Sequence, residues 1–105
     1  MRIGLLATLR DEAKSLPRFF KLLEALEADS RDDRLFCSFY ENDSSDDTSQ
    51  LLAEWLRGRP GVLQSERLCV PRLRGREVAR TIRMAEARNQ ALAGFGDEPL
   101  DWLVV

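Results

Sequence analysis

Four short apolar runs alternate with three stretches of helical spacing, and this alternation limits the fold more than any other feature of the chain. Residues 3–7 (IGLLA) are continuously apolar and bounded by charge, the pattern of a strand buried on both faces. A second run, 35–40 (LFCSFY), is rich in aromatics; Val62 and Leu63 begin a third, and 102–105 (WLVV) form a fourth. Between the first two runs, Ser15-Leu16-Pro17 marks a helix start, because a proline in the first turn gives up an N–H that has no intrahelical partner there. Leu16, Phe19, Phe20, Leu23 and Leu26 follow at helical spacing. Thr48, Leu51, Leu52, Trp55 and Leu56 share one face of a second helix, which stops before Gly58 and Pro60. A third, over about 76–93, carries Val78, Ile82, Ala85 and Leu92 along one stripe and ends at Gly94 and Gly96. The order β-α-β-α-β-α-β predicts an α/β fold, a Rossmann-like parallel sheet with helices on both faces and right-handed crossovers. At 105 residues this is one domain.

Composition narrows the function. No apolar run approaches the roughly 20 residues of a membrane-spanning helix. The apolar start of the chain is broken by Asp11 and Glu12, which argues against a secretory signal and for a cytoplasmic protein. Arg72, Arg74, Arg76, Arg80, Arg83 and Arg88 lie close together, yet the net charge is −2 and no aromatics interleave the arginines, so no nucleic-acid partner is expected. Cys37 and Cys69, with no histidine anywhere, do not make a zinc site. Both have apolar neighbours and read as buried free thiols in a reducing compartment.

Ligands of open α/β sheets bind beyond the carboxyl ends of the strands. Three polar segments fall there: 8–12, 41–48 and the loop at 71–75. The second, read with the preceding tyrosine, is YENDSSDDT. It resembles the strand-end loop of GT-A glycosyltransferases, with Ser44, Asp46 and Thr48 in register. By that resemblance Glu41, Asn42 and Asp43 bond the base or ribose of a nucleotide-sugar, since the edge of uracil or guanine offers N–H donors. Asp46 and Thr48 read as caps of the following helix. The bland alternative is a capping turn with no ligand. The first segment, ATLRDEAKSLPRFF, is similar to the first nucleotide-contacting loop of the same family, where an Asn-Glu pair often closes the strand. Asp11-Glu12 departs from that pair at Asp11; Thr8, Arg10 and Glu12 are the residues the resemblance assigns to base or phosphate. An ordinary β-to-α turn is the alternative.

In the third helix, Arg88-Asn89-Gln90-Ala91-Leu92 resembles an Arg-Asn motif of the same enzymes. Helical spacing puts Asn89 in the apolar stripe, where a buried amide without partners would cost about 1–3 kcal/mol. Either Arg83 or Arg88 would face the donor's base or diphosphate. Arg76, Arg80 and Arg83 make a further stripe suited to bidentate phosphate contact, or else a solvated face paired with Glu77 and Glu86. Within the superfamily the chain is most similar to the capsule-associated α-mannosyltransferase type. The resemblance implies a GDP- or UDP-linked sugar donor, a saccharide or glycan acceptor, and a divalent cation, Mn2+ or Mg2+, held by an Asp-x-Asp motif after the fourth strand. Asp101 precedes that strand, and the chain ends at Val105. The expectation is therefore a donor-binding half truncated at its carboxyl end, with cation ligands beyond residue 105 and no catalytic residue within it. A non-catalytic nucleotide-binding α/β domain, or an inactive fragment, is the alternative.

Overall fold

The computed structural model describes residues 1–29, 32–71 and 78–105. Its elements follow the expected order: β1 (Arg2–Leu9), α1 (Leu16–Asp29), β2 (Arg34–Asn42), α2 (Thr48–Leu56), β3 (Gly61–Glu66), α3 (Val78–Ala93) and β4 (Trp102–Val104). The strands form one all-parallel, Rossmann-like sheet in the order β3-β2-β1-β4. β1 and β2 run two residues beyond the apolar stretches that announce them, through Thr8-Leu9 and Glu41-Asn42. Backbone pairing continues there, up to Leu9 opposite Glu41, although Thr8, Glu41 and Asn42 are polar. Loop residues 72–75, together with Arg76 and Glu77 of the expected third helix, lie outside the described residues.

Period-two alternation along β1 and β2 feeds two cores. Leu5, Ala7 and Leu9 join Leu35, Cys37 and Phe39 on one face, against Leu16, Leu23 and Leu52 of α1 and α2. Leu6, Phe36 and Tyr40 point to the other, against Ala87, Ala91, Phe95 and Leu100. The placement of the helices follows from the strand order. Successive strands β1, β2 and β3 advance across the sheet in one direction, and the chain then returns past β2 and β1 to β4. With one crossover hand throughout, the returning helix has to cover the opposite face from α1 and α2, and α3 does. Strand order reverses between β1 and β4, where the last pair is Leu5 opposite Val104.

Two expectations are corrected. The apolar stripe of α3 is not its packed face: Val78, Ile82 and Leu92 are exposed, and so are Ala85 and Asn89. Asn89 is therefore no buried amide. The helix rests on the sheet through Ala87 and the fully buried Ala91, approaching so closely that a Cβ on Gly94 would run into the Ser38 hydroxyl and Val62. Cys37 is buried as expected, but Cys69 is exposed, in a left-handed backbone conformation (φ 57°). The neighbours of Cys69 lie in the connection after β3, where Leu68 is exposed as well. Asp101 sits at the amino end of β1, its carboxylate accepting the Arg2 N–H at 2.7 Å and its own N–H bonding the Arg2 carbonyl.

Candidate functional site

The chain leaves β1 and β2 through residues that turn in the same way. Asp11 and Asp43 adopt left-handed backbone conformations (φ 53° and 54°), which aspartate tolerates better than most residues. The two strand-end loops are then stitched together. Asp11 N–H donates to Ser44 Oγ at 3.0 Å, and the Asp11 carboxylate accepts the Ser45 N–H at 2.6 Å. Glu12 N–H donates to Thr48 Oγ1 at 2.8 Å, and Ala13 N–H to Asp46 Oδ2 at 3.2 Å. Asp46 Oδ1 accepts the first N–H of α2, from Thr48, at 3.0 Å, so this aspartate satisfies one free N–H of the helix from the position before the N-cap Asp47, whose own side chain makes no capping bond. Thr48 turns its hydroxyl to the other loop instead of to its own helix.

Of the acids at the end of β2, Glu41 is buried and occupied by its own loop and by β3. Its carboxylate accepts the Ser44 N–H at 2.9 Å and the Ser65 hydroxyl. Tyr40, one residue earlier, donates its hydroxyl to Glu66 at 2.8 Å. Burial, seconded by that bond and by the acids around it, pushes the Tyr40 phenol up to about 12. The Asp43 carboxylate accepts N–H groups from the connection after β3, at Cys69 (2.8 Å) and Val70 (3.5 Å), together with the Asn42 side-chain amide (3.0 Å).

Six of the residues singled out in the sequence, Thr8, Arg10, Glu12, Asn42, Arg80 and Arg83, line one open cleft of about 260 Å³. It lies over the carboxyl ends of β1 and β2, on the side that α3 covers, and Leu9, Val70, Pro71, Met84 and Ala87 complete its wall. Glu41 and Asp43 border a separate acid-rich hollow with Ser44, Asp46 and Ser65. Arg88 is exposed and is not part of the cleft lining. The sequence thus offered Arg83 and Arg88 on equal terms, and the helix brings Arg83 to the cleft.

Three arginines face Glu12 in this lining, so the cleft is predominantly cationic. Two of the three reach backbone carbonyls: Arg10 Nη2 donates to Val70 O at 3.1 Å, and Arg83 Nη1 to Pro71 O at 2.8 Å. Among the described residues, the Arg10 Nε–H is buried without an acceptor. The carbonyls of Val70 and Pro71 carry no signal in the sequence, because a backbone acceptor is the same whatever the residue. Chemically the cleft offers guanidinium groups for a bidentate anion. It also offers an amide at Asn42, a hydroxyl at Thr8 and a carboxylate at Glu12 for a neutral polar group. Among the described residues, no three His, Cys, Asp or Glu side chains gather where they could share a metal ion. No helix among them is long and apolar enough to cross a membrane. No protein-family model matches the chain, and neither do any curated protein or any solved structure compared with it.

Proposed function

We propose that the cleft over β1 and β2 binds the nucleoside diphosphate of a GDP- or UDP-linked sugar, and that the chain is the donor-binding part of a GT-A-type glycosyltransferase that passes a hexosyl group to a saccharide acceptor. Arg10 and Arg83 take the diphosphate oxygens, Asn42 and Thr8 the base or ribose, and Glu12 a ribose hydroxyl. One observation carries the reading. Arg10, Asn42 and Arg83, contributed by three separate segments of the chain, line the same cleft. The divalent cation enters this reading through the resemblance alone, and no residue of the cleft is assigned to it.

Isothermal calorimetry with UDP, GDP and their hexose conjugates, with and without Mn2+, tests the proposal. Binding is expected for at least one base. Arg10→Gln and Arg83→Gln should each weaken it by roughly tenfold to a hundredfold, the range for a lost hydrogen bond to a charged group. Arg88→Gln should leave it unchanged. Failure of the wild-type chain to bind any of these ligands, or binding indifferent to both cleft arginines, would remove the reading.

A further inference from the structure

Asp43 does not line the cleft that Arg10 and Arg83 share, yet a short run of hydrogen bonds connects it to both. Its Oδ1 accepts the Cys69 N–H at 2.8 Å, and its Oδ2 accepts the Val70 N–H at 3.5 Å and Asn42 Nδ2 at 3.0 Å. Its own N–H donates to Glu66 O at 3.1 Å, which fixes it at the start of the same connection. The next two carbonyls along that connection are the ones the arginines hold: Val70 O for Arg10 (3.1 Å) and Pro71 O for Arg83 (2.8 Å). We infer that Asp43 is a positioning residue of the cleft. Its carboxylate fixes the 69–71 backbone so that Val70 and Pro71 hold both guanidinium groups toward one site, and it fixes the Asn42 amide directly.

Both carboxylate oxygens are needed. An asparagine would turn an NH2 group against N–H donors on one side, although it tolerates the same left-handed backbone. The network also accounts for the backbone of Cys69, which Asp43 grips while it is left-handed (φ 57°). Holding long side chains in place beforehand reduces what a ligand must order on binding. What the cleft binds rests on the nucleotide reading; the network does not.

The chain carries its own reporter. Cys69 is exposed, whereas Cys37 is buried, and burial, with Glu27 nearby, pushes the Cys37 thiol up to about 12. A disulfide reagent such as dithionitrobenzoate therefore reads Cys69 alone. In the full chain, Asp43→Asn should raise the Cys69 labelling rate several-fold and shift the Nε–H signals of Arg10 and Arg83 in nitrogen-15 NMR spectra. It should also raise the Kd for UDP or GDP about tenfold, an effect that falls short of adding to that of Arg10→Gln. Should Asp43→Asn fail to fold, Asp43→Gly relaxes the left-handed backbone and carries the same readouts. Unchanged labelling and unchanged arginine signals overturn the inference, and so do shifted signals with nucleotide affinity intact. A wild-type chain that binds neither UDP nor GDP, while the arginine signals still move in the variant, removes the nucleotide reading and leaves the positioning role standing.

Discussion

Asp46 divides its carboxylate between two structures: Oδ1 takes the Thr48 N–H and hydroxyl of its own helix, and Oδ2 takes the Ala13 N–H of the neighbouring loop. The Thr48 hydroxyl bond, outweighing desolvation and helped by the N–H groups of Thr48 and Ala13, holds this carboxyl below its ordinary value of 3.8. Asp43 is also held below 3.8. Burial pushes it the other way, but the Cys69 N–H, the Asn42 amide and the N–H groups of Val70 and Leu68 prevail. A carboxylate with a depressed folded pKa contributes fully above its unfolded value and loses that contribution as pH falls through the folded one. Thermal melts should thus show stability falling as pH drops below about 3.8. Asp46→Asn should melt lower than wild type at pH 7, with a gap that closes in the same acid range; a gap of equal size at pH 7 and pH 3 would show that ionisation of Asp46 plays no part. In the sequence, Asp46 was recognisable as a partner for the first N–H of α2 because that contact is local, whereas the cap expected of Thr48 is not made. That Thr48 serves Glu12, 36 positions away, was not recognisable there, since one hydroxyl suits either partner.

In α3, periodicity defined which side chains share a face but not which face turns inward. Val78, Ile82, Ala85 and Leu92 form the more apolar stripe, yet the sheet is met by Ala87, Ala91 and Gly94. Small residues win because they let the helix backbone come close enough for side chains of the sheet to reach it. Ser38 Oγ donates to Ala91 O at 2.5 Å, and Gln64 Nε2 to Gln90 O at 2.6 Å. A stripe of larger side chains would hold the helix off and leave the buried Ser38 hydroxyl without that acceptor. The spacing of Ala87, Ala91 and Gly94, four and three apart, was the available signal. It was masked by the greater hydrophobicity of the opposite face. Two substitutions separate the alternatives in urea unfolding. Ile82→Lys, on the exposed stripe, should change stability by no more than about 0.5 kcal/mol. Ala91→Leu, small by ordinary hydropathy reasoning, should cost about 1–3 kcal/mol by overpacking. The reverse ranking would mean that α3 is turned about its axis.

For the whole molecule, the class of fold was legible because βαβ alternation admits few sheets, and the segments at strand ends were legible because parallel strands all deliver their loops to one edge. The position of β4 was less so. Alternation alone allows it beside β3 or beside β1. It joins β1 because Phe95 and Leu100 pack over Gly4, and because Asp101 brackets Arg2 through two backbone groups. That choice places α3 on the second face and gives the domain two cores that share no side chains, only strands. Leu5, Ala7 and Leu9 alternate with Leu6 in β1, and Cys37 and Phe39 with Phe36 and Tyr40 in β2. Losing either core should therefore unfold both. Trp55 stacks on Phe20 (ring centroids 4.8 Å apart, planes at 3°) and reports the α1/α2 side. Phe95 lies on the α3 side, near Phe36. In a Trp102→Phe background that leaves Trp55 as the sole tryptophan, Phe95→Ala should cost about 3–5 kcal/mol and Leu52→Ala about 2–5. Either is a large part of the roughly 5–15 kcal/mol that holds a domain together. Both substitutions should move the Trp55 fluorescence transition together with the far-ultraviolet circular dichroism, as one cooperative unit requires. A Trp55 transition left in place by Phe95→Ala, while helix signal is lost at lower denaturant, would mean that the α3 side comes away alone and that the sheet does not couple its two faces.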